Sequence, residues 1–437
     1  MKSEMSTENL PTPGWQPPPN YRPVKSALEG IQVYAPVPEA PQVKTVQTFK
    51  CPQCGATTRY DISAGGVACE HCGYKTPAHS VRVGKGAEEF EFTLDTWRQA
   101  EQGWGVERRE LHCDSCGAVL SLPEGALTVT CPFCASNRVN VRKPAADILR
   151  PRFLVPFKVL PETLRARAQE WLGKGWFHPG ELRTSSVIER FTGVYLPFWT
   201  FDSNITASWK AEVGHERQES YYDAGSKSWK TRTVIDWRWE NGRVTVHIDD
   251  LMVSGSSRLS RPIIERLYPF HLNELVAYAP DYLAGWQAQA YDVTLPQAWE
   301  DGKAQMRERA RQACQDDIHS GHVRNFSMTA DFADETWRYI LLPVYVAAYE
   351  FEGKIFQVMV NGQTGSVSGQ KPVAWWKIWL AIALLLAPGL LTSLAGLPLL
   401  FLGGAGLLVL VLGIILLAIG GALSFALYRQ ALASEAA

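Results

Sequence analysis

The chain has 437 residues, a formal net charge of −1, 46% hydrophobic residues and nine cysteines. That length leaves room for several domains, and the near-neutral balance excludes a global attraction to polyanions. Nine prolines fall within the first 43 residues, with little apolar periodicity. Residues 1–43 are therefore expected to form a disordered Pro-rich arm. No basic stretch leads into an apolar core there, so no signal peptide is expected.

Two four-cysteine devices follow. "CPQCGATTRYDISAGGVACEHCG" carries Cys51, Cys54, Cys69 and Cys72; "CDSCGAVLSLPEGALTVTCPFC" carries Cys113, Cys116, Cys131 and Cys134. A Cys-x-x-Cys turn presents two thiolates to one ion, and two such turns complete a tetrahedral S4 site suited to Zn2+. Gly55, Gly73 and Gly117 follow their pairs, where a missing Cβ lets backbone N–H groups fold towards the sulfurs. Between the pairs there is room for two short strands and a turn; in the second set "AVLSL", "PEGA" and "LTVT" read that way. Disulfides would need a secreted chain, and rubredoxin-like iron usually separates its turns more widely. Two structural zinc ions are thus expected, with every position filled by protein and none open to a catalytic water. His71 and His112 stand beside ligand cysteines and are read as exposed knuckle residues. These readings set zinc ribbon 1 at 44–74, a linker at 75–107 and zinc ribbon 2 at 108–143. The ninth cysteine, Cys314, reads as a packed bystander in a helical stretch.

Residues 144–372 mix two periods. "PETLRARAQEWLGK" (161–174) and "LPQAWEDGKAQMRERARQACQDDI" (295–318) read as amphipathic helices. "KSWKTRTVIDWRWENGRVTVHIDD" (227–250) alternates, and Asn241-Gly242 signals a type I′ hairpin turn. "LLPVYVAAYEFEGKIFQVMVNGQTGSVSGQ" (341–370) reads as two strands around Glu352-Gly353 and a third after Asn361-Gly362. Strands broken by separate helices give an α+β domain. "LVPF" (154–157), "YLPFW" (195–199), "LYPF" (267–270) and "LLPVY" (341–345) place Pro inside strand-like stretches, which suits edge positions or strand starts. "GVYLPFWTFD" and "ILLPVYVAAYEF" further raise a duplicated sheet unit.

From Ile378 to Tyr428 there is no Asp, Glu, Lys, Arg or His. One span needs about 20 apolar residues, so this run is expected to form a two-helix transmembrane hairpin at 373–430, broken at "TSLAGLP", with a tail at 431–437. Lys371 and Lys377 precede it and Arg429 follows, which places both termini in the cytoplasm. Trp375, Trp376, Trp379 and Tyr428 fit an interfacial belt. Gly406, Gly413 and Gly420 recur every seven residues, a stripe suited to close packing against Ala381, Ala383 and Ala387 of the first span or against another copy in a homo-oligomer. The fold class is multidomain: two small β zinc ribbons, a central α+β domain and a C-terminal two-helix transmembrane hairpin.

The paired ribbons, "LVPFKV", "WFHPGEL", "GVYLPFW", the 341–369 stretch and the Trp-rich entry to the hairpin resemble a bacterial family of double-zinc-ribbon membrane proteins. Its members are often labelled primosomal protein N′, helicase-like, or TFIIB-type zinc-binding. The resemblance implies a cytoplasmic (inner) membrane location and a link to membrane stress with SPFH-domain, flotillin-like partners. The helicase label finds no support in these residues. A motor needs G-x-x-x-x-G-K-[ST], and "NGQTGSVSGQK" lacks the Lys-Ser/Thr step.

Three functions compete. The first is a membrane-anchored adaptor or scaffold that recruits protein partners. The second is nucleic-acid binding by the ribbons. Residues 44–143 carry twelve Lys/Arg and eleven Asp/Glu, and each four-thiolate zinc site adds a further −2, bringing the region to about −3. That disfavours phosphate binding, and Arg138, Arg142 and Lys143 read as a solvated edge. The third is a hydrolase. "HERQE" (215–219) lacks a second His, "GSVSG" (365–369) lacks the nucleophile serine, and Asp249-Asp250 reads as a turn. His319 and His322 with Asp316 or Asp317 would make a metal pair, but read as exposed polar residues. The adaptor is the reading taken, and no enzymatic activity is expected.

Overall fold

The computed structural model describes residues 21–24, 33–36, 49–78, 82–84, 90–91, 109–122, 131–142, 149–183, 188, 191–257, 260–400 and 405–436. The chain divides into two units, 1–47 and 48–437. In the first, β1 (Tyr21–Val24) pairs antiparallel with β2 (Val33–Pro36). The Pro-rich arm thus contains one short ladder, and its other residues lie outside those described.

The second unit opens with β3 (Arg59–Asp61), β4 (Gly66–Ala68) and β5 (Lys75–Pro77), an antiparallel sheet of its own. Next come β6 (Phe90–Glu91), β7 (Arg109–Cys113), β8 (Val119–Leu122), β9 (Val139–Arg142) and β10 (Phe153–Leu154). Helix α1 (Pro161–Leu172) precedes two very long strands, β11 (Thr192–Asp223) and β12 (Ser228–Ser254). After α2 (Arg261–Glu265), β13 (Val276–Ala277) and β14 (Gln287–Ala288), helix α3 (Leu295–Asp317) leads into a third long strand, β15 (His322–Phe351). Then β16 (Lys354–Asn361) and β17 (Val367–Gly369) lead to α4 (Trp375–Leu399) and α5 (Ala405–Ala436).

The three long strands have 32, 27 and 30 residues. At about 3.3 Å per residue the longest has a contour near 100 Å. They pair antiparallel in the order β12-β11-β15. Helices α1 and α3 form where the apolar spacing called for them. α3 buries Leu295, Ala298, Trp299, Met306, Ala310 and Cys314, a stripe at three- and four-residue intervals. That stripe joins one core with Ile205, Ala207, Trp209, Ile248 and Leu251 of the strands.

One turn signal was misleading. β12 runs straight through Asn241-Gly242, and the hairpin turn lies between Asp223 and Ser228. Gly242 is opposite Trp209, and a Cβ there would lie 2.6 Å from the Trp209 indole nitrogen and from Asp317 Oδ2. The glycine serves close approach of a side chain, which a strand also demands. The Glu352-Gly353 turn stands as expected, with both residues at positive φ.

Two of the recurring prolines, Pro197 and Pro343, lie inside strands rather than at strand starts, and mark changes of partner. On its outer edge β11 pairs β14 at Val194 and Tyr195, passes Pro197, and pairs β12 from Phe198. β15 likewise pairs β10 at Ile340 and Leu341, passes Pro343, and pairs β16 from Val344. Each Pro stands where that edge asks for no ladder donor. Leu196 is opposite Leu342, so the two handovers are related by a local two-fold pattern.

Among the described residues, two helices are long and apolar enough to cross a membrane, Trp375–Leu399 and Gly406–Glu435. The first continues through "TSLAGLP", so the break lies after Leu399 rather than within 392–398. Packing explains this. Gly413 faces the backbone of Ser393, Gly420 faces Leu385 O, and Gly396 faces the backbone of Leu410. The Gly stripe therefore meets the first span, through Ser393 and Leu385 rather than through Ala381, Ala383 and Ala387. At its far end α5 returns to the start of α4, where Lys371 N–H donates to Ser434 O (3.0 Å).

A Cβ at Gly413 would lie 2.4 Å from Ser393 Oγ, whereas Gly421 faces open space. Gly413→Leu is expected to loosen the hairpin by about 1–3 kcal/mol, the usual cost of overpacking. Gly421→Ala should be silent. Thermal unfolding in detergent compares the two.

Candidate metal centres

Each cysteine pair sits on a tight knuckle. Cys51 N–H donates to Ala56 O (2.7 Å) and Gly55 N–H to Cys51 O (2.8 Å); Cys69 N–H donates to Tyr74 O (2.8 Å) and Gly73 N–H to Cys69 O (3.0 Å). The second ribbon repeats this with Cys113/Gly117 and Cys131/Ala135. Gly55, Gly73 and Gly117 have positive φ, as the turn requires, and Ala135 adopts the same conformation (φ 55°) despite its Cβ.

Sulfurs approach to 3.5 Å (Cys51–Cys72), 3.6 Å (Cys54–Cys69), 3.6 Å (Cys113–Cys134) and 3.7 Å (Cys116–Cys131). A tetrahedron with Zn–S of about 2.3 Å has S–S edges near 3.8 Å. Within each set the four sulfur atoms lie within 4.8 Å of one another. Backbone N–H groups of Cys72 and His71 hold the Cys69 thiol down to about 6. Burial raises Cys113, but N–H groups of Cys116 and Ser115 bring it down to about 7. Other thiols of the two sets are shifted the opposite way. The Tyr74 N–H lowers Cys72, yet burial and the three neighbouring cysteines push it up to about 12. Burial, with Cys116 and Cys113 beside it, pushes Cys134 up to about 11. Four such thiols ionise together only around a dication. The donor set, the edges and the electrostatics fit two structural Zn2+ sites.

His71 is exposed and outside the sulfur set, and His112 Nε2 lies 3.4 Å from Glu110 Oε2. Arg138 is exposed; the Arg142 side chain and Lys143 lie outside what is described, as do "PEGA" and "LTVT". Both ribbons lean on the central domain. Tyr60 N–H donates to Ala284 O (2.9 Å), and its ring lies tilted against Tyr282, with centroids 5.0 Å apart. In ribbon 2, Ser121 pairs with Ala288, and Gln357 Nε2 donates to Phe133 O (2.7 Å). Ribbon 2 thereby joins the large sheet through β8 and β14.

The other candidate residues go elsewhere. His322 Nε2 lies 3.1 Å from Glu216 Oε1, Asp317 accepts from the Trp209 indole (2.8 Å), and Asp316 accepts from Gln312 (2.9 Å). His215 of "HERQE" bonds Glu240 (2.6 Å). In "NGQTGSVSGQK", Asn361 Oδ1 accepts from the N–H groups of Gln363 and Thr364, making an Asx turn between two strands.

Asp249-Asp250 is not a terminal turn but a bulge inside β12, opposite Asp202 of β11. At the same level Asp334 and Glu335 bulge from β15, and Asp250 and Asp334 both have positive φ. Asp202, Asp249 and Asp250 bring carboxylate oxygens within 4.8 Å. Arg338, only 1% exposed, supplies positive charge there. Its Nη2 bonds Asp250 Oδ1 and lies 3.7 Å from Asp202 Oδ2, while Nε donates to Thr200 Oγ1 (3.2 Å). Thr336 Oγ1 and the Asp250 N–H also donate to Asp202. A guanidinium on β15 thus compensates the acidic cluster. Sequence reasoning missed it because these residues lie about 50 to 140 positions apart and only the double bulge unites them.

These features define a double-zinc-ribbon protein with a central mixed sheet and an apolar helical hairpin. A family model for the FORGETTER1 second zinc ribbon domain matches residues 109–139. The chain is also similar to YdjG of Bacillus subtilis (strain 168), described as an uncharacterized protein: 25% identical over 351 residues, covering 76% of this chain and 92% of that one. No solved structure matches.

Purified protein is expected to carry two equivalents of zinc and no stoichiometric iron by elemental analysis. Cys69→Ser should retain one, because ribbon 2 has its own ligands and its own place in the sheet. Arg338→Met should cost about 3–5 kcal/mol, since it strands buried carboxylates without their cation. Denaturant unfolding measures it, and pairing it with Asp250→Asn should restore part of the loss.

Proposed function

We propose that this protein is a membrane-anchored zinc-ribbon adaptor of the bacterial double-zinc-ribbon membrane family, with its ribbons and sheet domain in the cytoplasm. The observation that carries this reading is the free end of the long hairpin. β15 pairs β11 no further than Gly214. Residues 215–223 and 228–236 therefore continue as a two-stranded arm for nine residues each, about 30 Å. Its tip exposes Tyr221, Tyr222 and Trp229, the last 73% accessible. Exposed aromatics clustered on a projecting element are typical of protein recognition. The arm carries four cationic and four acidic residues, so it has no bias towards phosphate. Closed S4 sites leave the metals a structural role, which supports a binding protein over a hydrolase. The similarity to YdjG spans most of both chains and so includes more than the ribbons.

The return of α5 to Lys371 supports a double span with both flanks on one side. The resemblance suggests an SPFH-domain protein as partner and membrane stress as the setting. Affinity purification from detergent-solubilised bacterial membranes tests this. The full chain is expected to retain an SPFH-domain protein, and Tyr222→Ser/Trp229→Ser, which alters only exposed side chains, is expected to release it. Recovery of DNA or RNA would favour the nucleic-acid reading, and equal recovery with the double variant would remove the arm from recognition. Reporter fusions at the two ends should give cytoplasmic signals.

A further inference from the structure

The loop after α1, "GKGWFH" (173–178), is fastened to the mouth of the apolar hairpin. Ala374 N–H donates to Phe177 O (2.8 Å). Lys377 Nζ donates to Trp176 O (3.2 Å) and His178 O (2.7 Å). Lys371 Nζ donates to Trp171 O and to Lys174 O (3.0 Å), closing the C-terminal end of α1. The Phe177 ring packs against a cluster of Val373, Ile378 and Ala431, between the two apolar helices. His178 is buried, and its Nδ1 lies 2.9 Å from Pro372 O, which makes that nitrogen the donor. Gly175 has a φ of 104°, and a Cβ there would lie 2.6 Å from the His178 ring.

These contacts hold the loop at the level of the first turn of α4. Trp176 emerges from it 56% exposed, and the Lys377 ammonium that its carbonyl receives lies 5.9 Å from the ring centroid of Trp376 (67%), one turn before Trp379 (59%). An indole with its apolar body outside the core and its N–H available is suited to the headgroup level of a bilayer. Lys174 pairs with Glu170 (2.8 Å), and the ammonium groups of Lys371 and Lys377 are held by backbone carbonyls rather than projecting beside the indole.

We propose that this loop is a lipid-contacting surface of the sheet domain, with Trp176 seated at the headgroup–acyl boundary of the bilayer that α4 and α5 cross. The inference rests on the membrane reading above and adds to it: the domain itself touches lipid, through a segment some 200 residues before the spans. The partner is the zwitterionic or anionic phospholipid surface alike, since the seat is aromatic rather than ionic.

The test uses the full chain in phosphatidylcholine nanodiscs. Cysteines introduced by Trp176→Cys, Trp379→Cys or Trp229→Cys, in a Cys314→Ser background, are labelled with a nitroxide. Collision with oxygen and with a water-soluble nickel chelate is then compared. The label at 176 is expected to be several-fold less accessible to nickel than the label at 229, and to resemble the label at 379. Nickel access at 176 equal to that at 229, with 379 still protected, overturns the proposal and leaves the spans intact. Nickel access at 379 as well overturns the membrane reading and the proposal together. Zinc content, measured on each variant, confirms that the fold is retained.

Discussion

Backbone pairing is the constraint on which this molecule depends. Three strands of about thirty residues present a long row of donors and acceptors, and a sheet that size is stable only where those groups find partners. The chain meets the demand in relays. β14 serves β11 until Pro197, and β12 takes over; β10 serves β15 until Pro343, and β16 takes over. Opposite Asp202 and Ser203, bulges at Asp249-Asp250 and Asp334-Glu335 break the ladder at one height. Arg338, Thr336 and the Asp250 N–H satisfy the carboxylates of Asp202 and Asp250 at that height.

The zinc ribbons belong to this scheme rather than standing apart from it. A ribbon of about thirty residues has too little core to fold alone, and the metal supplies the missing cross-links. Once formed, ribbon 2 extends the sheet at Ser121 and receives Gln357 on its Phe133 carbonyl, and ribbon 1 covers Tyr282 and Ala284. The metal sites therefore act on the shape of the domain from its flanks. The same chain uses a second kind of close contact in the apolar hairpin, where glycines bring backbones together without metal or ions.

What could be read from the sequence was local. The Cys-x-x-Cys spacing, the two amphipathic helices, the Glu352-Gly353 turn and the double apolar run each carry their signal within a few residues. What escaped was set by distant neighbours. Asn241-Gly242 has the composition of a turn, yet Trp209, more than thirty residues earlier, requires a residue without a side chain there. Asp249-Asp250 looked like a turn because nothing nearby announces Arg338. "TSLAGLP" looked like a break because its small residues suit a loop as well as a tight helix contact with Leu410. Lys371 and Lys377 were legible as flanking charges, but not as donors to carbonyls of residues 171 to 178.

That last connection has a consequence for biogenesis. The carbonyls of Trp171 and Lys174 acquire their ammonium donor only when residue 371 has left the ribosome. Lys371 in turn gives its own N–H to Ser434, at the far end of α5. The C-terminal end of α1 therefore lacks these donors until residue 371 has been made, some 200 residues after the helix itself. Closure of α1 is thereby tied to the start of the apolar hairpin: a chain that stalls before residue 371 lacks the contact that seals α1.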